Sequence, residues 1–284
     1  LQNMNGRQSA KHNYYQREKY INKLSQIWSA LIKKNMATHE YEELKNSNIF
    51  KYSPYNTLTL EQDDVSRKVI YDIIDKMSKQ EDGTYVINGG AGTGKTIVLI
   101  NIINKLLTYS KLDFDETRED DNLTESLQLI HNYKEFLGKL GRELKIGYVV
   151  PMTSIRKTIK MVFKNTGNGL KANMVIGPFD VLKDNYDVIF VDEAHRLARY
   201  KNIGFRGEFK KCAEQLGLNP IETTQLDMIV KKSKYRVIVY DSNQTVKGSD
   251  ITDEQFNNAL KNSKVSRSVL ITQMRCVGGG LYID

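Results

Sequence analysis

Tyr85-Val86-Ile87-Asn88-Gly89-Gly90-Ala91-Gly92-Thr93-Gly94-Lys95-Thr96 decides the fold. A short apolar, β-branched stretch runs through a glycine-rich turn into Lys95-Thr96-Ile97-Val98, where a helical pattern begins. Strand, then G-x-x-x-x-G-K-[ST], then helix is the context that defines a P-loop. The chemistry explains the residue types. Glycines at 89, 90, 92 and 94, with the small Ala91 and Thr93, let successive backbone N–H groups turn inward around phosphates. The helix N-terminus adds partial positive charge. Lys95 is expected to reach the β- and γ-phosphates of a nucleotide, and the Thr96 hydroxyl to ligate Mg²⁺.

A second stretch completes such a site. Val188-Ile189-Phe190-Val191 is apolar throughout and ends in Asp192-Glu193-Ala194-His195. Carboxylates at a strand end serve two roles in phosphoryl chemistry. Asp192 is expected to hold Mg²⁺ on the P-loop side, and Glu193 to orient or deprotonate the attacking water. An Asp alone suffices for many switches and kinases, whereas the added Glu favours hydrolysis. No Asn-Lys-x-Asp occurs for guanine, since Asn22-Lys23 and Asn104-Lys105 both lack the final Asp, so ATP is the expected nucleotide.

Outward from these motifs, apolar stretches alternate with helical periodicity from about Leu58 onward. Strands are expected at Tyr85–Asn88, Lys145–Val150, Met174–Ile176, Val188–Asp192, Tyr235–Asp241 and Ser268–Ile271. Helices are expected at Leu60–Lys79, Lys95–Tyr109, Thr124–Lys139, Ser154–Lys164, Phe205–Gln215 and Asp253–Asn262. The alternation predicts an α/β domain, a mostly parallel sheet with helices on both faces. Residues 1–57 read as a basic helical extension or linker, with Ile21, Leu24, Ile27, Trp28, Leu31 and Ile32 at helical spacing. The domain proper is expected over 58–284, with an insertion at about 111–143 whose acidic part, 112–126, is exposed.

Composition excludes other classes. The chain has 284 residues, 40% hydrophobic content and a net charge of +8. It has no apolar run long enough to span a bilayer and no charged-then-apolar leader. Cys212 and Cys276 are too few for a disulfide framework and fit a reducing, cytoplasmic setting. The charge is segregated. Residues 1–60 carry a net +5, residues 112–126 a net −6, and the remainder +9.

Further elements follow in order. Leu58-Thr59-Leu60-Glu61-Gln62 precedes the helix leading into the P-loop strand. There Gln62 offers adenine an amide donor and acceptor, with an exposed helix-start glutamine as the competing reading. Asp241-Ser242-Asn243-Gln244 follows a later strand, where an amide at 244 can sense the γ-phosphate. Thr272-Gln273-Met274-Arg275 follows the last strand, and Arg275 reads either as a γ-phosphate contact or as a surface arginine.

This ordered set, from about Leu58 to Arg275, resembles the first motor domain of superfamily 1 helicases. LTLEQ is similar to their Q motif, GGAGTGKT to motif I, VVPMTS to motif Ia, VDEAH to motif II, DSNQ to motif III and TQMR to the start of motif IV. The spelling VDEAHRL, YDSNQTV and TQMRCVGGGLYID is most similar to the Schlafen-like DNA/RNA helicase group. The resemblance implies a RecA-like fold and nucleic-acid-stimulated ATP hydrolysis. It also implies single-stranded DNA or RNA held at motif Ia, here Pro151, Met152, Thr153 and Ser154. Accessory domains, sometimes nucleases, are frequent in the group. Two departures stand out. Tyr240 replaces the usual motif III glycine, and the second RecA-like half with its own arginine is not within these residues, so the chain is expected to be part of a longer motor.

Arg196 to Lys211 interleaves six basic residues and one acid with three aromatics. That composition suits phosphate contacts and base stacking by Arg199 and Tyr200, or else a solvated face with its aromatics in the core. His12, His39 and His131 show no metal-ligand spacing. His195 either links Glu193 to nucleic acid or makes a structural hydrogen bond. A helicase or translocase motor is the leading expectation. A nucleotide-gated switch in a defence or signalling assembly is the alternative; a third is an oligomeric AAA-type ATPase, for which a subunit-bridging arginine and a helical lid are expected after the sheet.

Overall fold

A computed structural model describes residues 17–34, 51–112, 124–241, 244 and 247–272. Helix α1 (Arg17–Lys33) realises the N-terminal apolar spacing. The α/β body begins with α2 (Leu60–Ser78), β1 (Gly83–Gly89), α3 (Lys95–Tyr109) and α4 (Thr124–Leu140). It continues with β2 (Ile146–Val149), α5 (Thr153–Thr166), β3 (Val175–Ile176), β4 (Tyr186–Val191) and α6 (Arg206–Gln215). The last elements are α7 (Gln225–Lys231), β5 (Ser233–Tyr240), α8 (Asp253–Leu260) and β6 (Lys264–Leu270). The six strands form one sheet in the order β3-β2-β4-β5-β1-β6, and all pairings are parallel.

Strand composition explains why both faces are covered. Alternate residues point to opposite faces. Tyr85 and Ile87 of β1, Val188 and Phe190 of β4, and Val237 and Val239 of β5 enter one core beneath α2, α3 and α5. Val86, Ile189, Val191 and Ile238 enter a second core with Leu226, Ile229 and Phe256 of α7 and α8. Both alternating sets are apolar, as a central parallel strand requires. Thr59 caps α2 reciprocally with Gln62, an arrangement worth about 1 kcal/mol, and Val65, Val69, Ile73 and Ile74 form its buried stripe.

The flank expected as linker docks onto this body. Tyr52 packs against the larger core, and the Pro54 carbonyl accepts from Asn101 of α3 at 3.3 Å. Within the expected insertion, α4 buries Tyr133 and Ile130 against α2, so this helix is part of the body; residues 113–123, most of the acidic stretch, lie outside the described residues. Two elements differ from expectation. Helix α7 was not anticipated, and β6 starts at Lys264, where its polar Ser266 and Ser268 find partners in Asp72 of α2 and Tyr85 of β1. Among the described residues, no helix is long and apolar enough to cross a membrane.

Strand order sets up the site. In parallel α/β sheets, ligands bind beyond the carboxyl ends of the strands. Here β5 lies between β1 and β4, so the ends of all three, Gly89, Val191 and Tyr240, are neighbours on one rim.

Candidate functional site

The turn after β1 needs backbone freedom. Gly92 and Gly94 adopt φ of 82° and 79°, a left-handed region that side-chain-bearing residues rarely enter. Gly90 and Ala91 are exposed at its tip, and Thr93 is buried with its hydroxyl donating to the Gly90 carbonyl at 3.0 Å. Gly94 precedes α3 without a side-chain cap. The first N–H groups of α3 therefore have no capping side chain.

Lys95 folds back into the turn. Its buried ammonium donates to the carbonyls of Gly89 at 2.6 Å and Gly90 at 2.7 Å, with Asp241 Oδ2 3.6 Å away. Asp241, at the end of β5, in turn accepts from the side-chain amide of Gln244. Lys95 and Gln244 therefore share one carboxylate.

The two main motifs meet at Asp192. The Thr96 hydroxyl donates to Asp192 Oδ2 at 2.8 Å across a separation of 96 residues. The Tyr148 hydroxyl, from β2, donates to the same oxygen at 2.9 Å, and the Glu193 amide reaches Oδ1 at 3.1 Å. Burial, then the neighbouring Glu193 charge, push the Asp192 carboxyl up to about 6, against these three hydrogen bonds.

Glu193 stands in the left-handed region, at φ 50° and ψ 47°, which turns its side chain out of the strand direction. Burial raises its carboxyl, but His195, Lys95 and Arg196 together hold it below the usual range. His195 is fully buried with Nε2 3.1 Å from Glu193 Oε2, poorly aligned for a hydrogen bond, and its Nδ1 has no partner among the described residues.

Gln62 corrects an expectation. Its amide oxygen accepts from Thr59 N at 3.0 Å and its amide nitrogen donates to the Thr93 carbonyl at 2.9 Å. The residue is buried, not an exposed helix-start glutamine, and both ends of its amide are engaged within the chain. It braces the glycine-rich turn, and a Cβ at Gly94 would collide with it.

Against known families, the profile of the Schlafen group 3 DNA/RNA helicase domain matches residues 82–284, which include all of β1 to β6. The chain belongs to this family. A relative of this Schlafen group 3 domain is the uncharacterized protein YPL245W of Saccharomyces cerevisiae, 25% identical over 207 residues. The match takes in 71% of this chain and 39% of the relative, so the chain spans well under half of that protein's length.

The remaining candidates of this Schlafen group 3 domain fall in two places. Pro151 is half-buried, and Thr153 and Ser154 are exposed where β2 turns into α5, beyond the same sheet rim. Helix α5 has neither a side-chain cap nor an acid in its first turn. Arg199 and Tyr200 are committed elsewhere. The Arg199 guanidinium donates to the Gly248 carbonyl at 2.9 and 3.1 Å, and the Tyr200 ring packs 5.7 Å from that of Phe209. Phe179, Tyr200 and Phe209 belong to a satellite core, so Tyr200 and Phe209 serve packing, while Phe205 is exposed. Arg275 lies outside the described residues.

Sequence reasoning missed Tyr148, hidden as one more large residue in an apolar strand. It passed over Asp241 in favour of Gln244. The position of Asp241 at a strand end, like that of Asp192, was the available signal.

Proposed function

We propose that the chain is the ATP-hydrolysing motor domain of a DNA/RNA helicase or translocase, acting with a second RecA-like domain of a longer protein. The observation that carries this reading is the hydrogen bond from Thr96 to Asp192. It joins a phosphate-type turn to a buried carboxylate with a second acid, Glu193, one residue further on.

The residues fit Mg²⁺ and ATP. A hydroxyl and a carboxylate are hard oxygen donors, and Mg²⁺ is commonly held by one or two such groups together with phosphate oxygens and water. Among the described residues no cluster of three His, Cys, Asp or Glu forms a self-contained metal cage, consistent with that division. Thr96 and Asp192 would hold the ion, which when bound neutralises charge on the β- and γ-phosphates. Lys95 would leave the Gly89 and Gly90 carbonyls and offer its ammonium to the phosphates. The uncapped N–H groups of α3 and the Gly89–Gly94 turn would cradle them. Glu193, held ionised by His195 and Lys95, would accept the proton of the attacking water. Gln244 would report the γ-phosphate to Asp241, and Arg275 would contact the same group.

Pro151, Thr153 and Ser154 would hold the backbone of single-stranded DNA or RNA through hydroxyls and amides that read no sequence. Arg199 and Tyr200 contribute to this role only if their present contacts with Gly248 and Phe209 are given up. An accessory nuclease domain and a cytoplasmic setting remain part of the same proposal for the parent protein.

The test is ATP turnover by the parent protein with and without single-stranded oligonucleotide. Stimulation that disappears in Lys95→Ala and Glu193→Gln supports the motor. Tight ATP binding with negligible turnover under both conditions sinks it in favour of a nucleotide-gated switch.

A further inference from the structure

Helix α5 carries charge unlike α2, α4 and α6. In α2 the basic residues are laced to acids one turn away, as in Asp64–Lys68 at 2.7 Å, Asp72–Lys76 at 2.6 Å and Asp75–Lys79 at 2.8 Å. Helix α4 does the same with Glu135–Lys139 at 2.6 Å, and α6 with Lys210–Glu214 at 3.8 Å. Helix α5 contains no acid at all, and from Leu144 to Phe179 the chain has no Asp or Glu. Lys157, Lys160 and Lys164 are exposed and, among the described residues, have no ion-pair partner.

Spacing places the three together. Positions i, i+3 and i+7 fall on one stripe of a helix. Ile159, Val162 and Phe163 are buried against the sheet, so the lysine stripe faces solvent. The stripe starts one turn beyond Thr153 and ends roughly 16 Å from it, at 1.5 Å per residue. Near its start, Arg156 donates to the Pro151 carbonyl at 3.4 Å and to the Thr153 hydroxyl at 3.2 Å, and its nearest carboxylate, Asp180, is 4.0 Å away. The groove beside β3 is lined by Lys160 as well, but its other basic groups are different, because Lys145 is paired with Asp184 at 2.6 Å and Lys183 with Asp180 at 2.5 Å. Their charge is answered within the chain. That of Lys157, Lys160 and Lys164 is not.

We infer that the exposed stripe Lys157, Lys160 and Lys164 binds the phosphate backbone of the nucleic acid and carries its path along α5 past the β2–α5 turn. Three ammonium groups on flexible stems, on a helix without acids and without ion-pair partners among the described residues, suit contacts with a polyanion that read no sequence. This inference rests on the motor reading, which supplies the strand at Pro151 to Ser154.

The experiment measures fluorescence anisotropy of labelled oligothymidylate and oligouridylate of graded length, with the full chain, across a salt series. The variants are the triple substitutions K157Q/K160Q/K164Q and K157R/K160R/K164R. Each backbone contact in single strands contributes a slope of about −0.7 in log K against log salt. The glutamine variant should therefore lose a slope of about 2 and bind on the order of 100-fold more weakly at 0.1 M salt. The loss should be confined to oligonucleotides long enough to reach past the turn. The arginine variant should bind like the unmodified chain, and ATP turnover without nucleic acid should be the same in all three. If the unmodified chain binds and the glutamine variant matches it in affinity and slope, the stripe is overturned alone. If the unmodified chain binds neither oligonucleotide, the nucleic-acid reading falls first and the stripe with it.

Discussion

Lys95 and Asp241 approach to 3.6 Å with both side chains almost wholly buried. The ammonium expected to meet phosphate is thus restrained by a carboxylate that also accepts from Gln244. Ligand binding must draw the lysine away from that carboxylate. Asp241→Asn keeps the shape and removes the charge, so the ammonium is released more readily. Its affinity for ATP should rise by about tenfold, on the order of 1.4 kcal/mol, while thermal stability without nucleotide falls because a buried charge has lost its partner. Titration with a fluorescent ATP analogue and a melting curve check both; lower affinity would show that the carboxylate does something other than restrain.

Glu193→Gln should separate binding from chemistry. The amide keeps the size but cannot take the water proton, so single-turnover hydrolysis should slow by roughly 10²- to 10⁴-fold. ATP affinity should change little. Comparable losses in both would mean that Glu193 shapes the pocket and does not act on water.

Tyr148→Phe and Thr96→Ala remove different donors from the same Asp192 oxygen. Each leaves a buried carboxylate short of a hydrogen bond, at a cost of about 1–3 kcal/mol. Only Thr96→Ala also removes an expected metal donor. Its Mg²⁺ requirement for turnover should rise at least tenfold, whereas that of Tyr148→Phe should stay near the original. Equal Mg²⁺ profiles in the two variants would argue against a metal at Thr96.

Asp187 gives a pH dependence with a definite sign. Burial pushes its carboxyl up, but Arg142, bonded to both oxygens at 2.6 and 2.9 Å, and the Lys145 amide hold it below its ordinary value. A depressed folded value means that the carboxylate stabilises the fold fully above its unfolded value, roughly pH 4. That contribution is lost as pH falls through the lower folded value. Melting temperature should fall less steeply below about pH 4 in Asp187→Asn than in the unmodified chain. An identical acid limb in both would exclude the contribution.

Much of this was legible in residue order because strand ends announce themselves. The apolar runs before Gly89 and Asp192 fixed both the sheet and the rim where the two motifs meet. What was not legible depended on partners far apart in the chain. Gln62 showed an amide near a helix start, but not that Thr93 would take its N–H. Arg199 and Tyr200 had the right composition for nucleic acid, and only packing revealed that Phe209 and the Gly248 carbonyl claim them. Helix α7 is short, yet its Thr224–Asp227 capping box was a local signal that went unread. β6 was shortened because Lys264, Ser266 and Arg267 look like loop residues until the strand is seen to be an edge.

The backbone of Glu193 sets two selective pressures against each other. A residue with a Cβ held at φ 50° costs the fold about 1 kcal/mol, which glycine would recover and asparagine would reduce. A variant library sorted for heat resistance alone should therefore drift toward Gly or Asn at position 193. The same library sorted for ATP turnover should keep Glu, and sequencing both pools would show whether this position trades endurance for work.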